Sequence, residues 1–385
     1  MKSYSFLIFF GIVLSIHLLV NYFIYYRVSA GLSETPKLLM VTKWILLLLT
    51  LSYPIGRFLE GVWYHPISNT LHWLGAFWFS GMLYSILLII VLDLLRASNH
   101  FLSFIPSNWL SDYGNLKFLT TVTIASLVIL ITLGGHINAW NPRISKHTIT
   151  INKSGTNLKS LKIVAASDIH LGTIIGPRKT TKLIKTINSL NPDIVLFAGD
   201  VIDEDIKPVL KQNLGVNLLK LKSKYGTFAC LGNHEYIGGA ESAANYLKTH
   251  GVTILKDSST LIDNSIYIIG RDDKDKTRFS GSPRKSISEL TDSLNRDKPL
   301  VLLDHQPFNL PTTAENKIDL QISGHTHHGQ LWPMNYITSA IFEVSSGFKK
   351  IGESNFIVST GYGTWGPPVR IGNRPEILEI TLIFN

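Results

Sequence analysis

The chain has 385 residues, room for two or three units at roughly 100–200 residues each, with a net charge of +9 and 45% hydrophobic residues. That charge is spread along the chain and forms no Lys/Arg stripe with interleaved aromatics, which excludes a nucleic-acid-binding face. One cysteine, Cys230, excludes an internal disulfide and reads as core packing. The averages hide a division. Residues 1–140 hold seven Lys or Arg and four Asp or Glu, whereas the other 245 hold 29 and 23. The first part reads as membrane region and the second as a water-soluble domain.

Residues 5–26 contain no charged side chain and end in Tyr22, Phe23, Tyr25 and Tyr26, aromatics suited to a membrane interface. The run is too long for a signal peptide, and more such segments follow. A second span covers about Val41 to Tyr53, or as far as Leu59, where Pro54 and Arg57 crowd its end. A third covers about Leu71 to Leu92 and a fourth about Phe118 to Leu133. About twenty helical residues cross the 30 Å hydrocarbon core, so four transmembrane helices are expected. Lys2, Arg57, Arg143 and Lys146 fall on one side of the bilayer. Arg27, Lys37, Lys43, Arg96 and Lys117 fall on the other, a small excess that favours an extracytoplasmic soluble domain at a bacterial inner membrane. No intramembrane polar residues recur as a relay would, so these helices read as an anchor.

Residues 141–160 are expected to be a linker with an edge strand near Thr148–Asn152, and the soluble domain is 161–385. A buried strand at 161–167 ends in Asp168-Ile169-His170. Pro177 opens a helix running to Leu190. The strand 193–198 ends in Gly199-Asp200, a helix covers 206–219, and the strand 225–231 ends in Gly232-Asn233-His234-Glu235. A helix at 241–249 and strands at 252–255, 259–262 and 265–269 come next, then a polar exposed loop over 274–286. A helix at 287–294 leads to the strand 299–303, which ends in Asp304-His305. The strand 318–322 leads into Gly324-His325-Thr326-His327-His328-Gly329-Gln330. Tail strands at 356–359 and 377–383 flank a rigid loop, Gly361–Pro368. This alternation argues an α/β fold with buried sheets, in which ligands sit beyond the carboxyl ends of the strands.

Those strand ends carry Asp168, His170, Asp200, Asn233, His305, His325 and His327: two carboxylates, one amide and four imidazoles. Mixed nitrogen and oxygen ligation suits Mn, Fe, Zn or Co, whereas calcium takes oxygens throughout. A two-metal site needs several ligands per ion and a carboxylate able to bridge them. Asp168 and His170, at i and i+2, can face one way off an extended end. Gly199 and Gly232 permit close backbone approach before Asp200 and Asn233.

The pattern Asp-x-His, Gly-Asp, Gly-Asn-His-Glu, His, Gly-His-x-His resembles the signature of the calcineurin-like metallophosphoesterases. Ser167–Gly172, Gly324–Gln330 and Gly361–Gly366 resemble the YkuE-like/YaeI-like branch, which has multi-span membrane members. The resemblance implies a four-layer αββα sandwich and two divalent ions (Mn, Fe, Zn or a mixture). It implies one ion on Asp168, His170, Asp200 and His327, and the other on Asp200, Asn233, His305 and His325. Asp200 would bridge, and His234 would act on the substrate phosphoryl group, with Glu235 orienting His234 or supporting the ligands. Hydroxide held between two cations forms near neutral pH and could attack phosphorus directly, without a phosphoenzyme. Arg271 and Arg370 are candidate phosphate or headgroup contacts, and Tyr362 and Trp365 candidates for the cleft rim. A domain tied to four helices stays near the bilayer, so the expected substrate is a membrane lipid or lipid-linked phosphate, phosphodiester or pyrophosphate. No obligate protein partner is evident. A membrane sensor or scaffold with a non-catalytic domain is the alternative; it would call for missing ligands, and none is missing.

Overall fold

The computed structural model describes residues 2–106, 109 and 112–385. They divide into two compact units, one reaching to His136 and including Gly366–Val369, the other Ile137–Trp365 with Arg370–Asn385.

The first unit contains α1 (Lys2–Gly31), α2 (Pro36–Val62), α3 (Pro66–Leu102) and α4 (Tyr113–Ala139), of 30, 27, 37 and 27 residues. All four are long and apolar enough to cross a membrane. The second helix takes the longer of the two ends the sequence offered and runs past it to Val62, with Pro54 inside. The charges beyond the proline are neutralised within the bundle. Glu60, 1% exposed, bonds Arg57 at 2.9 Å and lies 3.1 Å from His72. Arg27 and Asp93 form a two-pronged pair at 2.5 and 2.6 Å between α1 and α3. Polar side chains therefore pair in this unit, which the sequence reading did not foresee: Trp78 Nε1 donates to Asn21 Oδ1 at 2.7 Å.

In the second unit β1 (Arg143–Ile151) begins earlier than expected and pairs in parallel with β12 (Glu376–Phe384) at a sheet edge. The strands β2 (Ser160–Ala166), β3 (Ile194–Ala198), β4 (Thr227–Cys230) and β5 (Val252–Ile254) complete a six-stranded sheet of order β1-β12-β2-β3-β4-β5. A second sheet has β6 (Ser258–Ile262), β7 (Ile266–Gly270), β8 (Leu300–Leu303), β9 (Leu320–Ser323), β10 (Gly347–Ile351) and β11 (Ser354–Val358), in the order β10-β11-β9-β8-β7-β6. The sheets face each other across one apolar core, with Ile163, Leu196 and Cys230 from the first and Ile268, Val301 and Ile322 from the second.

Helices cover the outer faces. Leu183, Ile184 and Ile187 of α5 (Pro177–Ser189) are buried, at the i, i+1, i+4 spacing of one helix face. The predicted helix over 206–219 is two short pieces, α6 (Ile206–Lys211) and α7 (Gly215–Leu218), parted where Asn213 turns left-handed at φ 51°. Next come α8 (Asn233–Gly238) and α9 (Ala240–Thr249). The stretch 274–286 is not a plain exposed loop. It holds α10 (Lys276–Ser280), and its basic side chains bind acidic ones: Lys276 bonds Asp257 at 2.9 Å and Arg284 bonds Asp304 at 2.8 Å. On the second sheet α11 (Ile287–Thr291) packs Ile287 and Leu290 over Leu300 and Leu302. Two further helices among the described residues are α12 (Leu310–Glu315) and α13 (Met334–Ile341). This is an αββα sandwich whose central strands are covered on both sides, so they read as continuous apolar runs.

Candidate metal centre

Strands β2, β3 and β4 run parallel, as do β7, β8 and β9, so their carboxyl ends gather at one edge of each sheet. The two edges meet there. Asp168, two residues past β2, accepts the His325 backbone N–H, two residues past β9, at 2.9 Å. Asp200, past β3, lies 3.1 Å from His305 Nε2, past β8. The backbone bends sharply to aim these groups. Asp168, His170, Asp200, His325 and His327 all have left-handed φ between 45° and 70°, a conformation that costs about 1 kcal/mol or more for a non-glycine residue. Two glycines make room. At Gly199, φ is +81° and a Cβ would stand 2.4 Å from the His305 ring. At Gly324 it would stand 2.2 Å from the Asp168 carboxylate. The left-handed angle at this turn falls on His325 and not on its neighbour Gly324.

Among the described residues three groups of ligand-type side chains converge, each with its atoms within 4.8 Å: Asp168, His170 and His327; Asp200, His305 and His325; and His170, Asp203 and His234. The donor chemistry fits cations. His305 Nδ1 lies 2.8 Å from the Ala198 carbonyl, so it carries a proton. Burial works against a second proton, but Asp200 outweighs it and holds the pKa of the ring well above the ordinary range. A cation would have to displace that proton to use the Nε2 lone pair. Nε2 faces Asn233 Oδ1 at 3.2 Å and Asp200 Oδ2 at 3.1 Å, two acceptors. Burial pushes His325 down to about 3 and His327 also down, the neutral state that ligation requires. His170 Nε2 and His327 Nε2 lie 3.1 Å apart beside Asp168. Acceptors gathered this tightly out of water need positive charge among them.

His234 faces the same cleft. Its backbone N–H donates to Asp200 Oδ1 at 2.9 Å, and its Nδ1 bonds Asp203 Oδ1 at 3.0 Å. Burial works against its charge, but Asp200 and Asp203 outweigh it and push its pKa up to about 10. Asp203 was absent from the sequence-derived set. The available signal was its place three residues after Asp200 in the same post-strand loop. Glu235 does not orient His234. Its carboxylate accepts the N–H groups of Asp200 at 3.1 Å, Gly232 at 2.7 Å and Ile202 at 2.8 Å, clamping the loops after β3 and β4.

The two candidate arginines are tied to the protein. Arg370, 0% exposed, donates to the Thr360, Gly361 and Gly363 carbonyls and sets Nη2 3.1 Å from His327 Nδ1. Arg271 donates to Asp304 Oδ2 at 3.1 Å and to the Lys285 carbonyl at 3.0 Å. Of the two aromatic rim candidates, Trp365 is half exposed with its ring 5.8 Å from His234. Tyr362 instead is buried, its hydroxyl donating to the Lys179 carbonyl at 2.8 Å. His328 points elsewhere, to Ser345 Oγ at 2.9 Å.

Two adjoining clusters of buried carboxylate and imidazole, at the strand ends of an αββα sandwich, define a metal-dependent hydrolase centre. The sequence matches the calcineurin-like phosphoesterase family over residues 161–329. An uncharacterized metallophosphoesterase from Aquifex aeolicus (strain VF5) is 32% identical over 260 residues, 66% of this chain and 97% of that protein. A transmembrane protein with metallophosphoesterase domain from Danio rerio is 26% identical over 353 residues, 88% of this chain and 80% of that one. The uncharacterized metallophosphoesterase YkuE of Bacillus subtilis (strain 168) is 31% identical over 249 residues, 62% of this chain and 84% of that one. The chain belongs to the calcineurin-like metallophosphoesterases. It is a phosphoester hydrolase of the membrane, of a family that uses two divalent ions.

Proposed function

We propose that this protein hydrolyses a lipid-linked phosphate, phosphodiester or pyrophosphate. The observation that carries this reading is covalent. Only Trp140, Asn141 and Pro142 lie between the end of α4 and the start of β1. Three residues reach about 10 Å, so the centre belongs to a domain that stays near a bilayer.

Asp168, His170, Asp200 and His327 would hold one ion, and Asp200, Asn233, His305 and His325 the other. When bound there, the ions would supply Lewis acidity and lower the pKa of a coordinated water. The protein's own groups do the rest. Asp203 takes the Nδ1 side of His234, leaving Nε2 to bond a phosphoryl oxygen or protonate the leaving oxygen. Glu235 holds the Asp200 and Gly232 backbone in place. Trp365 walls the His234 side. We further propose an extracytoplasmic domain at a bacterial inner membrane. The Lys350→Cys thiol, on an exposed strand, would then react with an impermeant reagent in whole cells, whereas a cytoplasmic domain would leave it unlabelled.

The test is hydrolysis of a panel of lipid-linked phosphates by detergent-purified, Mn²⁺-loaded full-length protein, beside Asp200→Asn. Turnover of one lipid that disappears in Asp200→Asn supports the proposal. Cleavage of a soluble phosphodiester with no turnover of any lipid would discard the lipid substrate and keep the hydrolase.

A further inference from the structure

The helix α13 follows the histidine motif directly and is built the wrong way round for a soluble protein. Its eight residues carry no charge, and none of them is buried. Asn335 and Thr338 turn toward the domain. Thr338 Oγ1 accepts from Ser345 Oγ at 2.8 Å, and Asn335 Oδ1 is buried. Tyr336, Ile337 and Ile341 turn outward, at 65%, 53% and 60% exposure, and Trp332 just ahead of them is 46% exposed. A surface helix in water does the reverse, hiding its apolar stripe and showing its polar one.

This face adjoins the metal centre. Phe342, which closes α13, stands edge-on to His325 with ring centroids 5.8 Å apart, and its other neighbour is Phe308 at 4.9 Å. We propose that α13 dips into the interfacial layer of the bilayer, seating Ile337 and Ile341 among acyl chains and Trp332 and Tyr336 at headgroup level. The occupant is lipid for two reasons. The same chain carries four helices of membrane-spanning length. The connector Trp140–Pro142 keeps the domain at that membrane whatever else binds. An uncharged apolar face offers nothing to a charged partner, whereas aromatic residues beside aliphatic ones match the bilayer interface. The inference rests on the lipid-linked reading above and extends it: docking on α13 would bring a substrate's phosphate to the centre while its chains stay in the bilayer.

The experiment uses full-length protein in phosphatidylcholine/phosphatidylglycerol vesicles. Cys230 is buried, so Ile337→Cys and Ile341→Cys can each take an environment-sensitive fluorophore, with Lys248→Cys on an exposed face of α9 as the control. At 337 and 341 the emission should shift to the blue and be quenched by acyl-chain spin-labelled lipid, while the label at 248 is not. A label at 337 and 341 that behaves like the one at 248 overturns the proposal. So does one shielded from water but unquenched by lipid, with a shift that grows with protein-to-lipid ratio, since a second copy then covers the face. The double variant Ile337→Asp, Ile341→Asp should raise KM for a bilayer-borne lipid phosphate roughly tenfold or more and keep kcat/KM for a soluble phosphodiester within about twofold. Quenching without turnover of any lipid phosphate upholds the docking and sinks the substrate reading; turnover without quenching does the opposite.

Discussion

Glu235 offers the sharpest test of how this site is held. One carboxylate accepts three backbone N–H groups, from Asp200, Gly232 and Ile202, at 1% exposure. In Glu235→Gln, an amide oxygen placed at the Oε2 position keeps Asp200 and Gly232. Its NH₂ then meets the Ile202 N–H donor to donor, which costs about 1–3 kcal/mol. In Glu235→Ala all three donors are stranded in a dry site, costing about 3–6 kcal/mol if their effects partly overlap. For a unit of this size about 1 kcal/mol moves Tm by roughly 2–4 °C. The glutamine variant should therefore melt roughly 2–12 °C lower and the alanine variant roughly 6–24 °C lower. Because the clamp holds the turns bearing Asp200 and Asn233, metal content should fall along with stability. The assay is intrinsic-fluorescence melting of the detergent-purified chain with metal analysis of the same samples. An alanine variant that melts within about 2 °C of the parent and keeps both ions would refute the clamp.

Asp203→Asn should retain its metal and lower kcat roughly 10–100-fold, because the partner that orients His234 is weakened while the ligands stay. An equal loss of metal would instead make Asp203 a ligand. Gly199→Ala should melt lower by about 1–2 kcal/mol from the left-handed strain alone, and should lose activity further because its Cβ would displace the His305 ring; full activity would show the loop yields. Chelation should lower Tm, and Mn²⁺ or Zn²⁺ should restore it, since buried Asp168 and Asp200 are then left without cations. Buried Lys179 has its pKa pushed down to about 7 by desolvation, then by Arg370 and Lys182. Its folded value is below the ordinary one, so the penalty is full below pH 7 and fades as pH rises towards 10.5. Lys179→Met should thus be more stable by up to about 4 kcal/mol at pH 6, with the gap closing by about pH 10 in a melting series. A gap that does not change with pH would show that Lys179 has the same pKa in the folded and the unfolded chain.

Much of the architecture was legible because it is written locally. The strands 161–167, 193–198 and 299–303 are unbroken apolar runs, which both-sided burial demands. The glycines before Asp200 and Asn233 and the alternating histidines after β9 announced strand ends that carry chemistry. The helices were harder to read. The helix over 206–219 was over-extended because its apolar residues keep helical spacing across the left-handed turn at Asn213. The end of the second span stays open between Tyr53 and Leu59 because the sequence does not reveal that Glu60 finds Arg57 and His72.

What the sequence determined by itself was composition at short range: which segments are apolar enough for lipid or for a sheet interior, and which residue types stand at strand ends. Those follow from neighbours a few positions apart. The tertiary structure decided the partnerships. It set Asp203, and not Glu235, against His234, and turned Arg370 inward behind His327. It brought His305 to Asp200 across 105 residues of chain, and left α13 with its polar side in and its apolar side out. Such choices depend on which strands pair and how the two sheets stack, contacts that no local spacing encodes.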